Sequence, residues 1–314
     1  MQSNSPDQSS AGFTLLELLA VIGVVSVLLG IGLGYLGKTD PMMVANSILA
    51  GERRAAQMTA RAEGVPTEVL VRPGTEVSAA TVQARLLEPA ITFHFEPDTP
   101  VLDERMRPAI SGDDVVAGRF GHARRSVEGD KEALLEWLVS PQVMDVREGF
   151  LVRVDLYMEQ RDSCVVLDMQ PLLEVRLDSD LRPDARVRLG VVGGGNELKA
   201  IQSPLSFPLR QWATLEIGCD GSSIWLSVDD REHVRVAADG APHQAPDMVL
   251  EVSPLSAPVP GVVDELRLMV FGFSVAQQLP MELQPMKEYR FTYDKRGDPV
   301  EVPEIIYQDL EAGL

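Results

Sequence analysis

Three residues near the N-terminus have types and spacing that could do chemistry together: Gly12, Phe13 and Glu17. They stand at the start of an almost unbroken apolar run that continues to Leu36, and Glu17 is its only strongly polar side chain. A carboxylate in an apolar helix costs free energy in lipid and needs a partner. The pattern therefore predicts that Glu17 has a partner.

The apolar run itself is predicted to be a membrane anchor. At 1.5 Å per residue, Phe13–Leu36 is long enough to cross the ~30 Å hydrocarbon core as a helix. The run is longer than the roughly 7–15 apolar residues of a secretory signal, and no A-x-A-like cleavage site follows it. We therefore expect a transmembrane helix over residues 13–37.

The string A-G-F-T-L-L-E-L-L at residues 11–19 resembles the leader and cleavage motif of type IV prepilins and type II secretion pseudopilins. The resemblance implies that residues 1–12 are a leader, that a prepilin peptidase cuts after Gly12, and that Phe13 becomes N-methylated. It implies that Glu17 pairs with the N-terminal amine of a neighbouring subunit during assembly. It also implies a single-pass protein of the bacterial inner membrane, with a cytoplasmic N-terminus and a periplasmic main domain.

Beyond the anchor, residues 38–96 are predicted to form a helix followed by strands. Asp40 before Pro41 is a helix-start signal, Met42–Glu63 is rich in good helix formers, and Gly64 ends the pattern. Thr67–Arg72 and Ile91–Glu96 then alternate in strand fashion. The passage from helix to strand resembles that of the H-type minor pseudopilins.

Residues 97–278 carry many short β-rich segments separated by turn signals, which predicts an all-β sandwich. Two strings, W-A-T-L-E-I-G-C-D-G-S-S-I-W-L-S-V-D-D at 212–230 and P-G-V-V-D-E-L-R-L at 260–268, resemble the laminin-G-like, concanavalin A-like jelly roll. Trp212 and Trp225 are predicted to lie in the core between the two sheets, and stacking on a sugar is the alternative.

The tail, residues 279–314, alternates again around an Asp-Lys-Arg-Gly turn. Too few strands precede or follow the sandwich to form a stable sheet alone. We therefore predict an α+β protein in which the tail strands pair with Thr67–Glu96. The transmembrane and pilin-like helix would pack on this small antiparallel sheet, and the jelly-roll sandwich would be inserted into it.

Composition excludes some functions. Lys and Arg number 28 and Asp and Glu 47, so the formal charge is 28 − 47 = −19, which argues against nucleic-acid binding.

The sequence contains no hydrolase motif. A retaining glycosidase needs two neighbouring carboxylates on one face, whereas Asp264 and Glu265 are adjacent and should point to opposite faces of a strand. Asp155 and Glu159 are interpreted as edge residues. We expect no enzyme and no cofactor, although the many Asp residues would permit calcium at a place the sequence does not locate.

The two cysteines, Cys164 and Cys219, both fall in the sandwich region. Outside the cytoplasm they could form a disulfide. Two buried free thiols are an equal alternative, because cysteine is often a core residue.

These patterns favour a structural function: a minor pseudopilin or minor pilin that displays a sandwich from a type II secretion pseudopilus or type IV pilus. Its expected partners are the prepilin peptidase, other subunits, the inner-membrane assembly platform, and a glycan or exoprotein ligand. The alternative is a membrane-tethered module that binds a glycan or a protein and never enters a filament.

Overall fold

The computed structural model describes residues 40–75, 78–96, 104–108, 115–126, 133–190, 194–238 and 240–309. The predicted anchor, Phe13–Leu36, lies outside this part of the chain. Within the described ranges, no helix is both long enough and apolar enough to cross a membrane.

Helix α1 (Pro41–Glu63) begins and ends where the sequence predicts. The Asp40 side chain accepts a hydrogen bond from the Met42 backbone N at 2.9 Å and so caps the first turn. Gly64 ends the helix with a φ of +64°, a left-handed conformation that costs glycine little. The first and last residues of this helix are thus set by local capping interactions.

The described residues contain 21 strands, many of them short. In chain order they are β1 (Thr67–Arg72), β2 (Thr81–His94), β3 (Met106–Pro108), β4 (Val115–Ala117), β5 (His122–Arg125), β6 (Leu135–Val139), β7 (Phe150–Met158), β8 (Cys164–Gln170), β9 (Leu173–Leu177), β10 (Pro183–Gly190), β11 (Asn196–Gln202), β12 (Trp212–Cys219), β13 (Ser223–Val228), β14 (Arg231–Ala237), β15 (Met248–Val252), β16 (Gly261–Phe273), β17 (Gln277–Gln278), β18 (Leu283–Pro285), β19 (Tyr289–Tyr293), β20 (Pro299–Glu301) and β21 (Tyr307–Asp309).

Two antiparallel sheets form the sandwich. The first has twelve strands in the order β14-β13-β12-β7-β16-β2-β1-β19-β20, with β4, β5 and β17 attached beside this path. The second has seven, in the order β11-β10-β9-β8-β15-β6-β3. Inward-facing side chains of both sheets, such as Val152, Leu215 and Leu250, share one large buried core. The predicted β-sandwich is therefore confirmed.

The N-terminal and C-terminal parts of the chain meet in the first sheet. Strand β1 pairs with β19 in antiparallel register from Thr67 opposite Tyr293 to Val71 opposite Tyr289. This is part of the long-range pairing that the sequence predicted. The other predicted strand, Ile91–Glu96, pairs through residues 91–94 with β16 and not with the tail. Ala45 and Ala56 of α1 belong to one buried cluster with apolar side chains of β1, β2 and β19. The Thr67 hydroxyl, in turn, donates a hydrogen bond to the Ala56 carbonyl at 2.9 Å.

The small antiparallel sheet expected beneath the helix is continuous with the first sheet of the sandwich, because β2 belongs to both regions. Its first half pairs with β1, while its residues from Arg85 onward pair with β16 of the sandwich. A register shift at Pro89 lets this 14-residue strand continue past a proline, as bulges commonly do. One continuous sheet therefore runs from the helix-packed strands into the sandwich.

Candidate functional site

The site residues predicted at the N-terminus, Gly12, Phe13 and Glu17, lie outside the described residues. The two predicted cysteines are within them, and the disulfide is absent: both are buried free thiols. Cys164 lies on β8 of the second sheet and Cys219 on β12 of the first. Burial raises the pKa of the Cys164 thiol to about 12 and that of Cys219 to about 11, so both are unreactive core residues.

A polar groove of about 200 Å³ lies on the outer face of the first sheet, over its central strands β7, β12 and β16. Successive side chains of a strand point to opposite faces, so the residues between the core positions of these strands face outward. The groove is lined by Arg119, Phe120, Arg153, Asp155, Thr214, Asp230, Glu265 and Arg267.

Arg153 connects the floor of this groove to the helix. Its Nε donates to Glu216 Oε2 at 2.8 Å and its Nη1 to Glu63 Oε2 at 3.2 Å, while Nη2 donates to the Glu63 carbonyl. Glu63 is the last residue of α1. Trp225 Nε1 completes the network by donating to Glu216 Oε1 at 3.1 Å. The largely buried Glu216 is thus fully compensated, and α1 is joined to the sandwich by charge-assisted hydrogen bonds.

Asp155 is not an edge residue, contrary to the sequence interpretation. Its strand, β7, pairs with β12 on one side and β16 on the other, and the side chain is buried. Its Oδ1 accepts hydrogen bonds from Arg119 Nη1 at 2.7 Å and from the Thr214 hydroxyl. Glu159, beyond the end of the strand, instead forms an exposed ion pair with Arg125.

A bulge in β16 changes the expected placement of two carboxylates. Val263 pairs with Leu156 and Leu266 with Val154, so Asp264 and Glu265 together oppose a single residue, Asp155. Both are buried, and strict alternation to opposite faces does not hold here.

Burial raises the pKa of Asp264 above its ordinary value of 3.8, and the charges of Asp155 and Glu265 add to the rise. Backbone hydrogen bonds from Phe120 and Arg119 oppose it.

The Asp264 carboxylate also holds the turn between β4 and β5. Its Oδ2 accepts a hydrogen bond from the Phe120 backbone N at 2.8 Å, and Gly118 N donates to the Gly121 carbonyl at 2.9 Å. A Cβ at Gly118 would lie only 2.9 Å from Asp264 Oδ2, so glycine is required for this close approach. The turn presents Phe120 to solvent, with 62% of the residue exposed.

The chemistry of the groove favours binding over proton transfer. Each buried carboxylate already has a donor: Asp155 has Arg119, Asp264 has the Phe120 backbone, and Glu265 accepts from Arg267 Nε at 2.8 Å. General acid–base catalysis needs a carboxyl that can exchange its proton with a substrate. Among the described residues, no group of three or more His, Cys, Asp or Glu side chains could hold a metal ion.

Sequence reasoning missed this groove because its residues come from five distant segments. Only the turn had a local signal, since G-R-F-G at 118–121 places an aromatic side chain between two glycines. Both tryptophan predictions were wrong. Trp225 is buried on the outer face with Leu151 and Phe271, and Trp212 is only half-buried beside Tyr157.

Residues 7–33 match the family model described as the prokaryotic N-terminal methylation motif. The prepilin-type N-terminus is thereby confirmed as a motif, whereas cleavage after Gly12, methylation of Phe13 and the role of Glu17 stay predictions. No curated protein matches the chain in sequence.

Several solved structures are similar to parts of the chain. The binding domain of Paraclostridial Mosquitocidal Protein 1 has a TM-score of 0.43 and 10% identity, covering 59% of this chain and 48% of that one. This chain therefore spans about half the length of that structure.

The Ruminococcus gnavus IT-sialidase CBM40, bound to alpha2,3 sialyllactose, has a TM-score of 0.33 and 7% identity, covering 40% of this chain and 78% of that one. The carbohydrate esterase vb_24B_21 of the Shiga toxin-encoding bacteriophage phi24B has a TM-score of 0.36 and 12% identity, covering 59% and 99%. At this level of similarity, none of them assigns a ligand or an activity to this chain.

Proposed function

We propose that this chain is a prepilin-type structural subunit, a minor pseudopilin or minor pilin, and not an enzyme. The observation that carries the proposal is the N-terminal methylation motif at residues 7–33. The motif is followed by a helix, α1, that packs on strands from both ends of the chain.

In this proposal, residues 1–12 are a leader and residues 13–37 anchor the protein in the bacterial inner membrane. Residues 38–96 and 279–314 form the pilin-like part, which shares β2 with the sandwich. Residues 97–278 form the rest of a concanavalin A-like sandwich carried outside the membrane. Prepilin peptidase removes the leader, and Glu17 guides assembly with other subunits on the inner-membrane platform.

The structure adds a reason why a bulky sandwich could be displayed rigidly. It shares a sheet with the helix-packed strands through β2, and Arg153 joins the end of α1 to β12. These two connections restrict hinge motion between the helix and the sandwich, because the two parts are attached by more than a single flexible linker.

A second candidate function is a membrane-tethered module that binds a glycan or protein without entering a filament. The observation behind it is the groove on the outer face, because recognition through this groove does not require a filament.

N-terminal analysis of the membrane-extracted protein tests the proposal. A host that contains a prepilin peptidase should yield a chain that begins at Phe13 and carries an N-methyl group. The matched control is Gly12→Arg, which should leave the leader attached because a bulky residue does not fit the cleavage position. A wild-type chain that retains Met1 in the same host would contradict the proposal.

A further inference from the structure

The turn that carries Phe120 is held too firmly to be an ordinary surface loop. Asp264 holds it from the sheet below, and Arg119 reaches from it to Asp155 and Thr214 on two central strands. Glu96 holds its far side by accepting hydrogen bonds from the His122 backbone N and ring Nδ1, each at 2.9 Å. Burial of the Asp264 carboxylate costs free energy. Its hydrogen bond to the Phe120 backbone fixes the position of an exposed aromatic residue. Such preorganisation lowers the cost of binding a ligand.

The groove beside the ring offers unused hydrogen-bonding groups. Within the described part of the chain, Arg119 uses only Nη1 and Arg267 only Nε, so each retains N–H donors. Asp230 lines the groove, and its carboxylate accepts no hydrogen bond from any described residue. Asp230 is also held at a φ of +60°, which is uncommon for a residue other than glycine.

Charge and shape limit what can bind. Three arginines and three carboxylates line the groove, in a chain whose formal charge is −19. A charged ligand would lose hydration without gaining net attraction, whereas an uncharged polar ligand avoids that cost. A peptide that adds as a strand needs a free sheet edge, but β7 beneath the groove is paired on both sides.

We propose that this groove binds one ring of an uncharged sugar, stacked on the open face of Phe120. The Arg119 guanidinium lies 5.6 Å from the centroid of the Phe120 ring, which leaves the other face available. A sugar ring has an apolar face of C–H groups and an edge of hydroxyls. Each hydroxyl both donates and accepts, which matches the spare donors of the two arginines and the free acceptor of Asp230. This inference deepens the recognition role within the proposed function.

The test uses the purified full chain in detergent and an array of uncharged hexose and pentose oligosaccharides beside sialylated ones. Titration calorimetry with the best uncharged oligosaccharide then compares variants. Phe120→Ala should weaken its binding by about tenfold or more, because it removes the stacking surface. Asp230→Asn should weaken it by a smaller factor, because it replaces a charged acceptor with a neutral one. Phe120 is exposed and Asn tolerates a positive φ, so neither variant should unfold the protein.

Leu205→Ala and Asp247→Asn are the matched controls, since each changes an exposed residue outside the groove and should leave binding unchanged. The inference is overturned if no uncharged oligosaccharide binds, if only sialylated ones or proteins bind, or if both groove variants bind as the wild type does. Because full-length chain is used whether or not its leader is removed, this failure is distinguishable from failed processing at Gly12.

Discussion

The outer faces of the two sheets handle charge in opposite ways. On the first sheet, Arg153 lies between two carboxylates, and the buried carboxylates each have a donor. On the second sheet, carboxylates oppose each other directly across four strands: Glu136 pairs with Glu251, Glu251 with Asp168, and Asp168 with Glu174. Like charges directly opposite are destabilising, and these four carboxylates are all at least partly exposed to water.

The difference indicates which face is organised. On the first sheet, the paired charges lie beneath the end of α1 and the Phe120 turn. Removal of one partner there leaves the other charge buried and unpaired. In the acidic row on the second sheet, the arginine contacts of Glu174 are with half-exposed side chains. Substitutions on the first face should therefore cost far more than substitutions on the second.

Trp225→Ala should have the largest effect. The ring is 3% exposed and packs with Leu151 and Phe271 outside the main core. Removing it should lower the free energy of unfolding by about 3–5 kcal/mol, as for other buried large side chains. Urea denaturation measures this. Leu198→Ala, at a 55% exposed position of the second sheet, is the control and should stay within about 0.5 kcal/mol of wild type. Equal losses would show that the two faces do not differ.

Arg153→Met should come next. The substitution leaves Glu216 buried without its cation and frees Glu63 at the end of α1, so we expect a loss of about 1–3 kcal/mol in the free energy of unfolding. Adding Glu216→Gln should recover part of the loss, because the remaining buried group is then uncharged. The corresponding change on the second sheet, Arg186→Met, should cost about 1 kcal/mol or less, since its ion pair is half-exposed.

Asp264→Asn should change the pH dependence more than the stability itself. Because burial raises the pKa of Asp264, its contribution is fully present below the unfolded value of 3.8 and is lost as pH rises through the folded value. Asparagine still accepts from the Phe120 backbone N but does not ionise. The urea midpoint of the variant relative to that of the wild type should therefore increase from acid to neutral pH. A constant difference would mean that Asp264 does not titrate in this range.

Glu251→Gln should have the smallest effect, and with the opposite sign. Burial, then the charges of Asp168 and Glu136, raise the pKa of Glu251. Neutralising it should stabilise the protein at pH 7 by about 0.2–1 kcal/mol by removing like-charge contacts. The gain should shrink at high ionic strength because salt screens exposed charges. Destabilisation at low salt would indicate that the row has a bound cation or partner.

Local signals predicted much of the fold. The cap at Asp40 and the stop at Gly64 predicted α1 almost to the residue, and the turn at Asp294 and Gly297 predicted the hairpin of β19 and β20. The pairing of β1 with β19 followed from a physical requirement, because strands too few to be stable need partners elsewhere in the chain.

The candidate site could not be predicted in the same way. A period of two places Asp264 and Glu265 on opposite faces, and only the register of β7 against β16 reveals the bulge. Hydrophobicity predicts that Trp225 is buried but not on which face of its sheet. A proline such as Pro89 is typical of the end of a strand. Strand β2 nevertheless continues past it through a bulge and joins the helix-packed strands to the sandwich.

The central claim, that this chain enters a filament through its N-terminus while displaying the sandwich, is tested most directly by shearing and sedimentation. Cells that assemble the filament are sheared, and the pellet is probed for the chain. We expect that the wild-type chain, beginning at Phe13, sediments with the other subunits, and that Glu17→Val is inserted and cleaved but remains in the membrane. A correctly cleaved wild-type chain that stays in the membrane while the other subunits sediment would contradict the account and favour the tethered module.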